Sequence, residues 1–195
     1  MLVNVFLIFF YLKEMTLKMD SMEEKTTKRT MIYKGKIIQV AKDQVKLPDG
    51  KLAERELVFH PGAVAMLPIT KQNEIILVKQ YRKAIEECLW EIPAGKIELD
   101  DDDILLSAKR ELEEEIGMTG DFVYLTEAYT SPGFANEKIT IYQVNNLQKV
   151  KNPKPQDEDE NLIVKTFALD SLPAINDAKT LIAIQRLKLK LQGDK

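Results

Sequence analysis

Residues 110–118 read Arg-Glu-Leu-Glu-Glu-Glu-Ile-Gly-Met, and this acidic stretch decides the interpretation of the whole chain. A helix is predicted from about Asp102 to Ile116, and Gly117 ends it because glycine readily adopts the left-handed conformation of a helix C-cap. At about 100° per residue, the apolar side chains of this helix form one stripe that should pack on a sheet. The stripe consists of Ile104, Leu105, Ala108, Leu112 and Ile116.

The same helix brings three carboxylates together. Glu111, Glu114 and Glu115 stand three and four residues apart, where like charges repel each other. Glu111 and Glu115 are expected at the edge of the buried face. Arg110 can neutralise one carboxylate, and a hard divalent cation such as Mg²⁺ can gather the others through oxygen ligands. A solvated acidic helix face is the alternative interpretation of this segment taken alone.

The composition limits the class of protein. The chain has 195 residues, 45% hydrophobic and 30% charged, which is enough for one soluble domain with a small extension. Its 28 basic and 31 acidic residues lack the basic excess of a nucleic-acid binder. One Cys and one His exclude an intrachain disulfide and a Cys/His zinc cluster. Thirteen of the 31 carboxylates lie in two short segments, 98–115 and 157–160.

The N-terminal residues 1–11 are almost wholly apolar. The run is too short for a membrane span, which needs about 20 residues, and it lacks the flanks of a secretory signal. Three interpretations stay open: a start codon assigned too far upstream, a loosely attached membrane-surface segment, and a helix packed on the domain. Residues 1–30 are predicted to be an apolar leader or disordered tail outside the fold.

Strand signals dominate the rest of the chain. Ile32–Leu47 and Glu54–Phe59 are predicted to form a hairpin around Pro48-Asp49-Gly50. Two further strand pairs, two single strands, a turn and a second helix complete the prediction. The pairs are Ala63–Ile69 with Ile75–Gln80 and Phe122–Thr130 with Lys138–Val144; the single strands are Leu89–Ile92, followed by a turn at Pro93–Gly95, and Leu162–Phe167; the helix is Asp177–Leu191.

Gly95 together with residues 110–118 resembles the Nudix box, Gly-x5-Glu-x7-Arg-Glu-U-x-Glu-Glu-x-Gly-U, where U is a bulky apolar residue. The second half matches at every specified position. In the first half, 14 residues separate Gly95 from Arg110 where the pattern has 13, which indicates a one-residue insertion. Asp101 or Asp102 stands where the pattern has Glu.

Other segments are similar to the ADP-ribose pyrophosphatase branch of the Nudix hydrolases. They are Tyr81-Arg82, residues 91–98 (Glu-Ile-Pro-Ala-Gly-Lys-Ile-Glu) and residues 131–134 (Ser-Pro-Gly-Phe), with Pro132 15 residues after Gly117. The resemblance implies an α/β (α+β) fold in which a mixed β-sheet is sandwiched between helices, with an N-terminal antiparallel β-hairpin subdomain. Residues 31–60 would be this subdomain, used for dimerisation, and residues 61–195 the hydrolase domain.

The resemblance also implies the site. Ala94, through its carbonyl, and Glu111, Glu114 and Glu115 would bind Mg²⁺, with Mn²⁺ as a substitute. Glu158 is the candidate general base, with Glu160 as the alternative, and a solvated turn is the other interpretation of their segment. The predicted substrate-binding residues are Arg55, Glu56, Arg82, Glu98, Gly133, Phe134 and Glu137. For Arg82 a surface ion pair is the competing interpretation.

The activity implied is Mg²⁺-dependent hydrolysis of ADP-ribose to AMP and ribose 5-phosphate in a cytoplasmic homodimer. Neither nucleic acid nor a membrane is an expected partner; a small nucleotide sugar is. Another nucleoside diphosphate sugar is the alternative substrate, and a binding module that senses ADP-ribose without turnover is the alternative of a different class. The intact second half of the box argues against such a module, because pure binding does not need both Glu111 and Glu115.

Overall fold

The computed structural model describes residues 22–98, 103–156 and 161–193, which hold ten strands and two helices. The predictions made for residues 1–21, for Asp101 and Asp102, and for Glu158 and Glu160 lie outside the described residues. The chain divides into two compact units. Among the described residues, the first comprises residues 22–60 with Gly133–Ala135, and the second comprises Pro61–Pro132 with residues 136–193.

The first unit contains an antiparallel sheet of three strands in the order β1-β2-β3. The strands are β1 (Lys25–Lys34), β2 (Gln39–Lys46) and β3 (Leu52–Phe59). The predicted hairpin is confirmed by the β2–β3 pairing. The Gly50 amide donates to the Leu47 carbonyl at 2.9 Å, and Gly50 has a φ of 87°, a value that favours glycine.

Two predictions for the first unit are corrected. The single strand expected over Ile32–Leu47 is two strands, because the chain turns at residues 35–38, where the Gly35 amide donates to the Ile38 carbonyl at 2.9 Å. The boundary at residue 30 is also wrong, since β1 begins at Lys25. The cause is polar pairing: the buried Asp43 on β2 accepts hydrogen bonds from Arg29, at 2.8 and 2.7 Å, and from Thr26, at 3.1 Å.

In its described residues, the second unit contains two sheets and two helices. One sheet has the order β7-β4-β9-β8, with β4 and β9 parallel, and the other has the antiparallel order β10-β5-β6. The element bounds are β4 Ala63–Pro68, β5 Glu74–Arg82, β6 Glu87–Glu91, β7 Ala94–Lys96, α1 Ile104–Ile116, β8 Met118–Tyr129, β9 Lys138–Lys149, β10 Ile163–Ala168 and α2 Ala178–Gly193.

The predicted pairing of β4 with β5 is wrong. Both edges of β4 are taken, by β7 and β9, so in the described residues only an isolated bridge joins Ile69, directly after β4, to Ile75 of β5. The predicted turn at Pro93–Gly95 is also wrong. Strand β7 begins at Ala94, and its pairing with β4 extends the chain there. The predicted pairing of β8 with β9 is confirmed. The strand predicted over Leu162–Phe167 is confirmed as β10.

The central strand β4 is buried on both faces. Ala65 and Leu67 point into a core that includes β5, β9 and helix α2, while Val64 and Met66 point into a core with helix α1. Alternate residues of a strand face opposite sides of its sheet, so α1 and α2 cover opposite faces. The predicted mixed sheet between helices is confirmed. Within the described ranges, no helix combines the length and the apolar character that crossing a membrane requires.

Candidate active site

Helix α1 carries the acidic motif and has well-formed ends. The Asp103 side chain accepts a hydrogen bond from the Leu105 amide at 2.9 Å, which makes Asp103 the N-cap. Gly117 adopts the left-handed conformation, with a φ of 66°, and its amide donates to the Glu113 carbonyl at 2.9 Å. The helix predicted from the sequence, and its end at Gly117, are confirmed.

Glu111 and Glu115 lie at the centre of the buried face of α1, whereas the sequence predicts them at its edge. They are 9% and 2% exposed, and the other buried residues of the helix are Ser107, Ala108 and Leu112. The apolar stripe does not extend to Ile104, which is 38% exposed. The buried face is therefore partly polar, and it contacts the segment at the start of β7.

That segment is shaped around the two carboxylates. A Cβ atom on Gly95 would lie 1.9 Å from Cδ of Glu111 and 2.2 and 2.3 Å from its carboxylate oxygens, so any side chain there would displace the Glu111 carboxylate. The Ala94 amide donates to Oε2 of Glu115 at 3.2 Å. The glycine of the motif is thus required because a carboxylate occupies the space of its missing side chain.

Arg110 lies among the carboxylates, as the sequence predicts. Its Nη1 is 2.8 Å from Oε1 of Glu111 and 3.0 Å from Oε2 of Glu114, and its Nη2 is 4.0 Å from Oε1 of Glu98. Burial alone would lower the pKa of Arg110, but the charges of Glu111 and Glu114 outweigh it and raise that pKa. Among the described residues, Arg110 thus faces three carboxylates, and acidic side chains outnumber basic ones in these contacts of the cluster.

The donor set suits a hard divalent cation. Carboxylate oxygens are the ligands that Mg²⁺ takes in proteins, and Glu111 and Glu115 present two such groups from a buried helix face. In the described residues, no three acidic, Cys or His side chains already surround one point as ligands. An ion that bound Glu111 would compete with the guanidinium of Arg110 for this carboxylate.

Arg82, at the end of β5, pairs with a buried carboxylate. Its Nε donates to Oε1 of Glu91 at 2.8 Å and its Nη2 to Oε2 at 2.7 Å. The Glu91 side chain is 1% exposed and the Arg82 side chain 41%, so the pair is anchored inside the protein and is not confined to its surface. The pKa of Arg82 is raised by Glu91 and, more weakly, by the charges of Asp177 and Glu115.

The sequence did not predict a role for Glu91 or for Lys179, which also contacts it. Burial would raise the pKa of Glu91, yet the hydrogen bonds from Arg82 and the charge of Lys179 hold this pKa below its ordinary value. One signal was available, since Glu91 is an acid in a strand with apolar neighbours directly before Ile-Pro-Ala-Gly. Its contact with Lys179, 88 residues away, had no local signal.

The remaining predicted substrate residues are divided between the two units. In the first unit, Arg55 pairs with Glu24, with distances of 2.8 and 2.5 Å, and Glu56 is exposed on β3. The Phe134 carbonyl accepts from the Val58 amide at 2.8 Å, and Gly133 precedes it. In the second unit, Glu98 lies near Arg110, and Glu137 accepts from the Thr130 hydroxyl at 2.6 Å. Their roles in binding substrate stay predictions.

An open depression of about 390 Å³ lies at the C-terminal end of α1, between residues 113–117 and residues 153–156. Two hydrogen bonds join these segments. The Lys154 amide donates to Oε1 of Glu113 at 3.0 Å, and the Gln156 side chain donates to the Glu115 carbonyl at 3.0 Å. The depression therefore adjoins Glu114 and Glu115 and has a side wall fixed to the helix that carries them.

Comparison with known proteins identifies the family. Residues 59–186 match the model of the NUDIX domain, so the chain belongs to the Nudix hydrolase family. Residues 24–58 match a second model, the nucleoside diphosphate sugar hydrolase N-terminal domain.

Particular relatives narrow the comparison. The chain is 44% identical over 186 residues to an ADP-ribose pyrophosphatase of Bacillus subtilis, covering 91% of this chain and 100% of the relative. It is 43% identical over 175 residues to a methanol dehydrogenase activator of Bacillus methanolicus, covering 86% and 94%. A crystal structure of an ADP compounds hydrolase superposes with a TM-score of 0.77 at 21% identity, covering 88% of this chain and 96% of the other, which shows a shared fold.

Proposed function

We propose that this Nudix hydrolase cleaves the diphosphate bond of ADP-ribose to yield AMP and ribose 5-phosphate. The observation that carries the proposal is the fit between Gly95 and the Glu111 carboxylate, beside the hydrogen bond from Ala94 to Glu115. This arrangement buries the carboxylates of Glu111 and Glu115, whose negatively charged oxygens can bind a metal ion. The Bacillus subtilis relative, which aligns over its full length with 91% of this chain, supports ADP-ribose as the substrate.

The proposed reaction needs a cation because the diphosphate and the acidic helix are both negatively charged. Glu111 and Glu115, with Glu114 and the Ala94 carbonyl, are the proposed ligands of Mg²⁺, for which Mn²⁺ can substitute. When bound, the ion neutralises phosphate charge and lowers the pKa of a water molecule. Nη1 of Arg110 contacts both Glu111 and Glu114, and its positive charge offsets their mutual repulsion.

Other residues have proposed roles in binding and in proton transfer. Arg82 uses two of its nitrogens on Glu91, and the proposal is that its remaining donors contact a phosphate or the terminal ribose. Glu158, with Glu160 as the alternative, takes a proton from the attacking water. The water oxygen bonds to one phosphorus while the bridging P–O bond breaks, so each product carries one phosphate.

Purified protein incubated with ADP-ribose and Mg²⁺, followed by chromatographic detection of AMP and ribose 5-phosphate, tests the function. Glu115→Gln should reduce turnover at least about a hundredfold, because it removes the charge of a buried metal ligand. Glu127→Gln is the matched control, since Glu127 pairs with Lys138 at 3.2 Å on the surface of β8. Equal turnover in wild type and Glu115→Gln would contradict the metal assignment.

The same assay separates the alternatives. Product from another nucleoside diphosphate sugar, with none from ADP-ribose, would replace the substrate and keep the chemistry. Binding of ADP-ribose without any product, measured by calorimetry with Mg²⁺ present, would indicate a sensing module. In each of these outcomes the ligand is a small nucleotide sugar, and the proposal includes no nucleic-acid partner.

The proposal includes a cytoplasmic homodimer that pairs through residues 31–60. Support comes from the match of residues 24–58 to the N-terminal domain model and from three exposed apolar side chains on β1, Met31, Ile32 and Tyr33. Sedimentation equilibrium should give twice the chain mass of 22.3 kDa. A monomer at micromolar concentration would contradict the dimer without affecting the proposed reaction.

A further inference from the structure

The start of helix α2 is organised by one carboxylate. Asp177 precedes the first helical residue, and its Oδ2 accepts hydrogen bonds from the Thr180 amide at 2.9 Å and the Thr180 hydroxyl at 2.6 Å. Its Oδ1 accepts from Nζ of Lys179 at 3.0 Å. Asp177 therefore caps the helix and also orients two side chains of its first turn.

Those two side chains reach Glu91, the last residue of β6, and Ile92, which follows it. The Thr180 hydroxyl oxygen accepts a hydrogen bond from the Ile92 amide at 2.8 Å. Nζ of Lys179 donates to Oε2 of Glu91. Thr180 is 0% exposed and Lys179 9%, so these contacts are shielded from water. We call Asp177, Lys179 and Thr180 the α2 anchor.

Glu91 and Ile92 connect the anchor to both sides of the proposed active site. On one side, Glu91 holds the guanidinium of Arg82 through two hydrogen bonds. On the other side, Ile92 is two residues before Ala94, whose amide contacts Glu115, and three before Gly95, which makes room for Glu111. Between them, the Pro93 carbonyl accepts from the Met66 amide at 2.8 Å, so the short segment is held along its length.

The buried charges of the anchor need an explanation other than stability. Burying an ammonium group is costly, and replacing a buried ion pair with apolar residues of similar volume is often neutral or stabilising. Lys179 nevertheless lies beside a carboxylate that already has a guanidinium. Because Glu91 is shared between two cations, it cannot swing toward either one alone, which fixes where Arg82 is presented.

We propose that Thr180 and Lys179 are positioning residues for the hydrolysis, Thr180 holding the segment that faces the metal ligands and Lys179 holding Arg82 through Glu91. The inference rests on the proposed function, because that function defines Glu115 as a metal ligand and Arg82 as a substrate-binding residue. It predicts that the two residues fail in different ways, since one acts on the metal side and the other on the substrate side.

Thr180→Val removes the hydroxyl at nearly constant volume, and Thr180→Ser keeps it. Mn²⁺ binding measured by electron paramagnetic resonance, without substrate, should weaken about tenfold in Thr180→Val, because the segment from Ile92 to Ala94, which contacts Glu115, loses its support. Thr180→Ser should bind Mn²⁺ within about twofold of wild type. Equal Mn²⁺ binding by wild type and Thr180→Val, or equal loss in both variants, would overturn the role of Thr180.

Lys179→Met should raise the KM for ADP-ribose about tenfold while Mn²⁺ affinity stays unchanged, and Lys179→Arg should restore most of the KM. Lys188→Met, which removes the same charge elsewhere on the same helix, should leave KM at the wild-type value. A fall in kcat with unchanged KM, or a KM for Lys179→Met equal to that of Lys188→Met, would overturn the role of Lys179.

The readouts keep this inference separate from the proposed function. If wild type fails to hydrolyse ADP-ribose but Thr180→Val still loses Mn²⁺ affinity, the proposed substrate is wrong and the metal-side positioning stands. If wild type hydrolyses ADP-ribose and Thr180→Val binds Mn²⁺ normally, the proposed function stands and the positioning role of Thr180 is wrong.

Discussion

Two partly buried charge clusters meet at the segment from Glu91 to Gly95, and they differ in their balance of acidic and basic side chains. On helix α1, the guanidinium of Arg110 faces Glu98, Glu111 and Glu114, so within the described part of the chain the acidic side chains of this cluster outnumber the basic one. At the start of α2, the cations Arg82 and Lys179 face the carboxylates Glu91 and Asp177, and the charges cancel. An excess of buried charge indicates where an ion of the opposite sign binds, whereas a balanced cluster indicates a fixed structural junction.

Gly95→Ala should have the largest effect, because it damages the unbalanced cluster directly. The new methyl group would displace the Glu111 carboxylate, and a misplacement of about 1 Å can cost about a hundredfold in rate. Folding should change little, since the atoms that must move are the end of a flexible side chain. Steady-state assays and thermal unfolding of the same sample measure both.

Gly193→Ala is the control for this substitution, because a Cβ at Gly193 would meet nothing within 4 Å. It should match wild type in both measurements. Full activity in Gly95→Ala would show that the position of the Glu111 carboxylate is not critical. A large loss of stability would show that Gly95 serves the fold more than the site.

Glu91→Gln should break the balanced cluster and destabilise the protein. It leaves Arg82 and Lys179 without their shared carboxylate, and removing one member of a buried pair costs about 3–5 kcal/mol. We expect about 2–3 kcal/mol, because Arg82 is partly exposed and water screens it. Urea denaturation measures the loss, and adding Lys179→Met should recover part of it if the two cations repel each other.

The contribution of Glu91 should also depend on pH in a defined direction. Its pKa in the folded protein lies below the ordinary value of 4.5, so its stabilising effect is present above that value and is lost as the pH falls through the lower, folded pKa. The difference in stability between wild type and Glu91→Gln should therefore be constant near neutral pH and shrink below about pH 4. A difference that grows on acidification would contradict the balanced cluster.

The sequence predicts the unbalanced cluster far better than the balanced one. The spacing of Glu111, Glu114 and Glu115 and the cap at Gly117 are local features of one helix, so both the helix and its acidic face follow from them. The burial of the carboxylates does not follow, because it depends on the space left by Gly95, 16 residues earlier. A helical wheel of the apolar residues alone places these carboxylates at an edge.

The errors share one physical cause, which is pairing between distant residues. Strands β4 and β5 are neighbours in the chain, and their pairing is predicted because a short turn separates them, yet β9 and β7 take both edges of β4. Strand β1 has no apolar alternation, and the polar contacts of Arg29 with Asp43 hold it. The hydrogen bond from the Ile92 amide to Thr180 of the α2 anchor joins residues 88 positions apart, so no local sequence pattern predicts it.

Glu114→Gln should have the smallest effect and is the most direct test of the charge excess. Without divalent cations the variant should be as stable as wild type or more stable by about 0.3 kcal/mol, because it removes one of several like charges and keeps an acceptor for Arg110. With saturating Mg²⁺ the order should reverse, since the cation stabilises the form that binds it more tightly. Glu127→Gln, which removes a charge already matched by Lys138, should be no more stable than wild type in either condition. Wild type more stable than Glu114→Gln in chelator, with no response to Mg²⁺, would mean that the acidic cluster is balanced like the α2 anchor and does not attract a cation.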